Sequence, residues 1–389
     1  MKHYKWIIAF TFLFLFIGQT VSLASSEEER DDKQMIDEIS LEGVQAYWNE
    51  LVQEYQGYLP ELEKNTVYDF IKEEKTFSFK HTLTGLIKFL FHEFTLNAKL
   101  LGQLLILTLF SVLLQTIHTS FERSAVSKIA YFIVYIVLLF ISLNSFYLTS
   151  EYISNAIGMM TNFMIALIPL VLGIMSTFGN LASVSFFHPI IIFLINFSGL
   201  LVSKFIMPLL LLSALLEIVS TLNEKHRVTH LANMIRSISV GSLGVFLTVF
   251  LGVMSIQGAA GAIQDGVAMK TTKFITGNFI PVVGRTFTDA ADTVLSASLL
   301  LKNAVGIIGV AIIIFIAIFP ALKVLAIALI YKLAAAILQP LADGPIITCL
   351  NSIGQYLLYM LACLLTVSLM FFLAIVVIVV SGNITLFLR

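Results

Sequence analysis

Apolar residues fall in two patterns along this chain. In LEGVQAYWNELVQEYQGYLPEL, Val44, Tyr47, Trp48, Leu51 and Tyr55 recur at three- and four-residue steps, which predicts an amphipathic helix. Gly57 to Pro60 supplies turn chemistry after it, so a helical hairpin is expected. Residues 83–98, LTGLIKFLFHEFTLNA, place Leu86, Phe89, Leu90 and Phe94 on one face and Lys88 and Glu93 elsewhere. That pattern suits a helix lying at a membrane surface, and equally one packed against the preceding helix.

Beyond Lys99 the alternation gives way to long apolar runs. About 20 apolar residues cross a hydrocarbon core, which predicts spans near 100–118, 129–149, 157–178, 186–203, 205–221, 238–257, 303–320, 324–341 and 355–380. The expected fold is an all-α polytopic integral membrane protein with about nine transmembrane helices, or seven to nine, and a small exported helical head. The run 186–221 is interrupted by Lys204 and Pro208 and reads as one long helix or as a tight hairpin. Charge favours the hairpin: with an exported head it puts Arg123, Lys128, Lys225, Arg227 and Arg236 in the cytoplasm, as positive-inside bias requires. A single helix would export the loop that carries Lys225 and Arg227. The runs from Ile190 and from Gly309 each carry a lysine near an expected bend, Lys204 and Lys323, a weak internal symmetry of the kind seen in inverted repeats.

Composition agrees with a membrane body. Of 389 residues, 58% are hydrophobic and 12% charged, which excludes an ordinary soluble domain. The net charge of −1 hides an asymmetry, because residues 25–80 hold fifteen Asp/Glu against six Lys/Arg. The chain thus divides into an acidic water-facing head at 25–98 and a multispanning domain at 99–389, with no basic surface for nucleic acid. Lys2 and Lys5 before WIIAFTFLFLFIG, and Ser22-Leu23-Ala24 after it, predict a signal peptide at 1–24, or else an uncleaved anchor. Cys349 and Cys363 sit among apolar residues without metal spacing, so a buried unpaired role is expected for both.

Residues 257–302 are too polar for an ordinary span. Within KFITGNFIPVVGR, Gly277 and Pro281 offer breaks, while Lys273, Asn278 and Arg285, followed by Asp289 and Asp292, offer polar groups. Two readings stand: a re-entrant element lining a polar path or gate, or a solvated amphipathic helix on the outer surface. Lys332 lies within its expected span, where an unpaired charge costs about 3 kcal/mol. It joins the candidate path, with Glu217 as a possible partner, unless it snorkels to an interface. Lys225, Arg227 and Arg236 form a candidate cytoplasmic partner loop.

Signals for catalysis are negative. His92-Glu93 opens like HExxH, but Leu96 stands where the second histidine belongs. His226 and His230 are four apart without a third ligand nearby and read as a solvated face. Neither a GxxxxGK[ST] loop nor a GxSxG elbow occurs, so no enzymatic role, cofactor or metal is expected.

The segments YWNELVQEY, LFHEFTLNAKLLGQLLILTLFSVLLQ, FFHPIIIFLINFSGLL, VTHLANMIRSISVGSLGVFLTVFLGVMSIQGAAGAIQDGV, KFITGNFIPVVGRTFTDAADTVLSASLLLKN and YKLAAAILQPLADGPIITCL together resemble the stage III sporulation protein AE family of endospore-forming Firmicutes. The resemblance implies a non-enzymatic membrane component of a secretion-like channel complex between mother cell and forespore. It implies sister stage III sporulation proteins AA to AH as partners, AA looking like the ATPase that supplies energy. Stage II sporulation protein Q is implied as a partner through the assembled complex. The implied place is the mother-cell and outer forespore membrane, with the head in the intermembrane space. A stand-alone secondary transporter or permease and a non-conducting assembly scaffold remain as alternatives.

Overall fold

In the computed structural model the described residues are 42–58, 79–120, 125–177, 181–222, 228–279, 283–340 and 344–387, with backbone alone between 258 and 301. The expected signal peptide at 1–24, the residues up to 41 and the second half of the head hairpin lie outside them. Leu41–Arg389 form one compact unit. Its elements are α1 (Glu42–Glu54), α2 (Phe79–Leu96), α3 (Ala98–Ser120), α4 (Ala125–Thr177), α5 (Leu181–Leu200), a π-helical turn (Leu201–Ile206), α6 (Met207–Leu222), α7 (Thr229–Phe279), α8 (Val283–Leu338) and α9 (Pro345–Phe387). Among the described residues the fold is all helical.

The periodicity of the head is realised in α1. Val44, Trp48 and Leu51 are each 2% exposed, while Asn49, Glu50, Gln53 and Glu54 face outward. After α1 the chain turns at Gly57, whose φ of +87° favours a residue without Cβ.

Among the described residues five helical stretches are long and apolar enough to cross a membrane: Phe132–Ile174, Pro189–Thr221, Thr229–Gln257, Lys302–Leu338 and Pro345–Val380. A sixth arises if α2 and α3, bent by 46° around Asn97, act together. Among the described residues the expected count of nine is therefore not reached, because pairs of expected spans fuse. Spans 129–149 and 157–178 are one helix, α4, and spans 303–320 and 324–341 are one helix, α8. The hairpin at 186–221 is likewise replaced by a continuous run, α5 to α6.

At 186–221 and in α8 the physical reason lies in how the prolines are absorbed, whereas the gap at 150–156 in α4 holds no proline. In a regular α-turn the ring of Pro208 would meet the carbonyl of Lys204. The π-helical turn Leu201–Ile206 widens the helix there, so the chain continues where a break was expected. Pro169 and Pro320 also stand inside helices. In an apolar surrounding the remaining backbone groups have no water to turn to, which keeps the ladder closed on both sides of the proline. With no hairpin at 186–221, the side of the membrane that holds Lys225 and Arg227 no longer follows from the charge count. Nor do the two lysine-bearing hairpins exist as the halves of an inverted repeat.

Side-chain contacts set the register of the bundle. On α4 and α8, Leu167 meets Gly309 and the Ser145 hydroxyl meets Tyr331 Oη at 2.8 Å, so the two helices run antiparallel. On α8 and α9, Gly306 faces Val379 and Lys332 faces Gly354, again antiparallel. At Gly354 a Cβ would stand 2.8 Å from Lys332 Cγ and 3.2 Å from the Ala328 carbonyl, so the absence of a side chain lets the two helices come this close without crowding. α1 lies in the groove of α4 and α8, where Tyr47 packs edge-on to Phe163.

Candidate functional site

Three polar clusters are built into the apolar bundle. The first joins α6, α7 and α9. Glu217, one α-helical turn after Ser213 on α6, accepts from Ser352 Oγ at 3.0 Å and from Tyr356 Oη at 2.7 Å. Ser213 donates to the Ala232 carbonyl at 2.6 Å and lies 2.8 Å from Tyr356 Oη, so the tyrosine bridges carboxylate and hydroxyl. Ser352 and Tyr356 meet Glu217 together because an i, i+4 pair shares one helix face. Below it, Tyr135 of α4 donates to the Ile218 carbonyl at 2.6 Å and lies against Thr221. A carboxylate among apolar helices is held here by hydrogen bonds, the condition that makes its burial tolerable.

The second cluster lies beside it. Lys332 Nζ donates to Asn351 Oδ1 at 3.1 Å. Arg236 stacks over the Tyr359 ring at 5.5 Å, and Tyr359 also meets Gln355. Glu217 thus serves Ser352 and Tyr356, not the role of partner to Lys332 that the sequence suggested. Arg236 is half-buried against α9 and takes part in the bundle, whereas Lys225 and Arg227 lie outside the described residues.

The third cluster centres on Lys323 of α8. Its Nζ is 3.9 Å from Glu54 Oε1, 5.9 Å from the Tyr55 ring centre and 5.5 Å from that of Tyr152. Tyr55 stacks on Phe319, and Phe89 of α2 closes on both rings edge-on. Burial, with Glu54 second, raises the Tyr55 hydroxyl above its ordinary value. Sequence reading noticed Lys323 only as a residue near an expected bend. The signal that could have found the cluster is the lone lysine in an apolar run, which needs a partner brought from elsewhere in the chain.

The candidate gate is only partly described. Lys273, Gly277 and Asn278 lie on α7, and Arg285, Asp289 and Asp292 on α8, with backbone alone described; Pro281 lies outside the described residues. Two long helices flank residues 280–282, so no irregular segment is seen in the described part of 257–302. At its end, Lys302 is 2% exposed and belongs to the bundle interior, not to a solvated surface. Among the described residues no group of His, Cys, Asp and Glu could hold a metal ion. Cys349 and Cys363 are both buried and free, as expected.

Comparison with known proteins adds the following. A family model described as Stage III sporulation protein AE matches residues 62–382. Stage III sporulation protein AE of Bacillus subtilis (strain 168) is 50% identical over a 399-residue alignment that covers 100% of both chains. No solved structure matches the chain.

Proposed function

The chain belongs to the stage III sporulation protein AE family, and from that premise we propose that it is a non-enzymatic membrane component of a channel between mother cell and forespore. The observation that carries this reading is the pairing of a full-length sporulation relative with a bundle of apolar helices joined by partly buried and exposed polar clusters. Hydrogen-bonded carboxylate, hydroxyl and amide groups between apolar helices are what a polar solute or a moving helix interface needs. The complex is formed with sister stage III sporulation proteins AA to AH and, across the intermembrane space, with stage II sporulation protein Q. The acidic head faces that space, and energy comes from a partner ATPase.

Deletion of the gene in its spore-forming source tests the reading. Small forespores and a silent late forespore reporter after engulfment are expected; normal spores would overturn it. Purified protein that moved a metabolite into vesicles without partners would favour the transporter reading instead. Loss of partner recruitment without any change in permeability would favour the scaffold.

A further inference from the structure

Along α9, Asn351, Gln355 and Tyr359 recur every fourth residue and so share one helix face. Asn351 and Gln355 are exposed there, and Tyr359 is half-buried. α9 packs on both α7 and α8, and each neighbour sends one cation to this strip. Lys332 of α8 donates to Asn351 Oδ1 at 3.1 Å, and Arg236 of α7 lies over the Tyr359 ring, 5.5 Å from its centre. The eight residues between the two contacts span about 12 Å along the helix axis. Between them Gln355 donates to Tyr359 Oη at 3.2 Å.

Acids do not balance these cations. Among the described residues neither Lys332 nor Arg236 has a carboxylate within ion-pair distance. The acid that α6 brings to α9, Glu217, accepts from Ser352 and Tyr356, which lie around the helix from the exposed strip. A contact with an aromatic ring leaves the N–H donors of a guanidinium for oxygen acceptors, and Asn351, whose oxygen faces Lys332, keeps its amide N–H groups. The strip thus offers two positive charges and several donors to an anion.

Polarity changes farther along the same face. From Met360 to Val380, α9 carries no charged or amide side chain. Ala362 and Leu365 continue its exposed surface, and Leu329 and Leu333 beside Lys332 and Val240 one turn from Arg236 are exposed as well. Cations and amides therefore occupy the part of the strip nearer the start of α9, with apolar surface beside and beyond them. An anionic lipid has that same distribution, a charged headgroup followed by acyl chains, and basic pockets between membrane helices suit such headgroups. A soluble anion would gain nothing from the apolar part.

We propose that this strip binds an anionic phospholipid with two phosphates joined through glycerol, one phosphate at Arg236 and the other at Lys332. A single phosphate beside either cation leaves the other about 12 Å away. Two phosphates on a three-carbon linker bridge that span with a charge-assisted hydrogen bond at each end, and their two negative charges match the two cations. The site goes beyond the channel reading and does not rest on it.

The test is native mass spectrometry of the full-length protein, titrated in turn with diphosphatidylglycerol, phosphatidylglycerol and inorganic phosphate. Diphosphatidylglycerol is expected to bind roughly tenfold tighter than phosphatidylglycerol, the gain from one further charge-assisted contact. Arg236→Gln and Lys332→Gln should each remove roughly that tenfold advantage. Lys88→Gln, which deletes an exposed charge on α2, should leave it unchanged. Gel filtration checks that each variant is folded, and Lys332→Gln, which gives up one exposed hydrogen bond, keeps the test decisive if Arg236→Gln unfolds. Equal affinity for the two lipids would overturn the proposal, as would unchanged binding in Lys332→Gln. Release of the bound lipid by millimolar inorganic phosphate would make the ligand a soluble anion and overturn it too. None of these readouts depends on sporulation, so normal spores after gene deletion would sink the functional reading and leave this site standing.

Discussion

Tyr55 lies flat on Phe319, with ring centroids 3.7 Å apart and planes 7° from parallel. The stack ties the end of α1 to α8. Tyr55→Ala should weaken docking of α1 by about 3 kcal/mol, the usual cost of removing a buried aromatic side chain. Tyr55→Phe keeps the stack and should cost far less. Limited proteolysis of residues 42–58 checks this, with faster cleavage expected in the alanine variant alone.

Ionisation of the same tyrosine gives a pH prediction. Its folded-state value is raised by burial, with Glu54 second, so the neutral phenol is favoured in the docked state. The stabilising contribution is complete below the unfolded phenol value of about 10 and is lost as pH rises through the folded value. Trp48, 2% exposed on α1, reports the change. A red shift of tryptophan emission above about pH 10 is expected in a variant lacking Trp6. Tyr55→Phe should abolish that shift; its persistence would place the titrating group elsewhere.

Lys323 sits beside Glu54 with side chains 24% and 43% exposed, so this pair contributes little on its own. Glu54→Gln should change the thermal midpoint slightly, corresponding to about 0–1 kcal/mol. Lys323→Glu is a different matter. It replaces the one cation between two tyrosine rings by an anion next to Glu54, and α1 should undock. Protease sensitivity of α1 at unchanged detergent extraction separates undocking from global unfolding.

Glu217 accepts hydrogen bonds from two residues of α9. Glu217→Ala leaves Ser352 and Tyr356 without their acceptor and should destabilise the bundle by about 2–4 kcal/mol, since hydrogen bonds to a charged group are worth about 1.5–3 kcal/mol each and do not add fully. Glu217→Gln retains one acceptor oxygen and should cost less than half of that. Thermal unfolding followed by gel filtration in detergent is the measurement. Equal midpoints for parent and Glu217→Ala would show that the carboxylate is not held as described.

At the crossing of α8 and α9, Gly354→Ala drives a Cβ toward Lys332 Cγ and the Ala328 carbonyl. The lysine can swing away, but the backbone carbonyl cannot, so a loss of about 1–3 kcal/mol is expected. Lys332→Leu forfeits one exposed hydrogen bond to Asn351 and should change stability by less than about 1 kcal/mol. If Lys332→Leu instead abolishes sporulation at normal protein level, Lys332 belongs to the conduit and not only to the helix crossing.

Much of the fold was legible in the sequence because its signals are local. The face of α1 followed from the three- and four-residue recurrence of Val44, Trp48 and Leu51, and the membrane body from apolar runs that no soluble chain carries. The break near Asn97 and the π-helical turn ahead of Pro208 were not legible. Proline and lysine in an apolar run are compatible with either a bend or a widened turn, and sequence spacing does not tell them apart. Two spans of ordinary length with a weak interruption look the same as one helix such as α4, and only the neighbours packed along both halves decide between them.

The sites divide in the same way. Residue types alone marked Lys332 as a charge out of place, and Glu217 as a nearby acid. Their partners came from α9, more than a hundred positions beyond Glu217, and pairings at that separation leave no trace in local pattern. The sequence by itself determined an all-helical membrane protein, an amphipathic acidic head and membership of a sporulation family. Only the tertiary structure decided that expected spans fuse into single long helices and that Glu54 and Tyr55 meet Lys323. The reason is physical: local propensity depends on neighbours a few residues away, whereas helix length, ion pairing and which face meets lipid are settled by surfaces that only packing brings together.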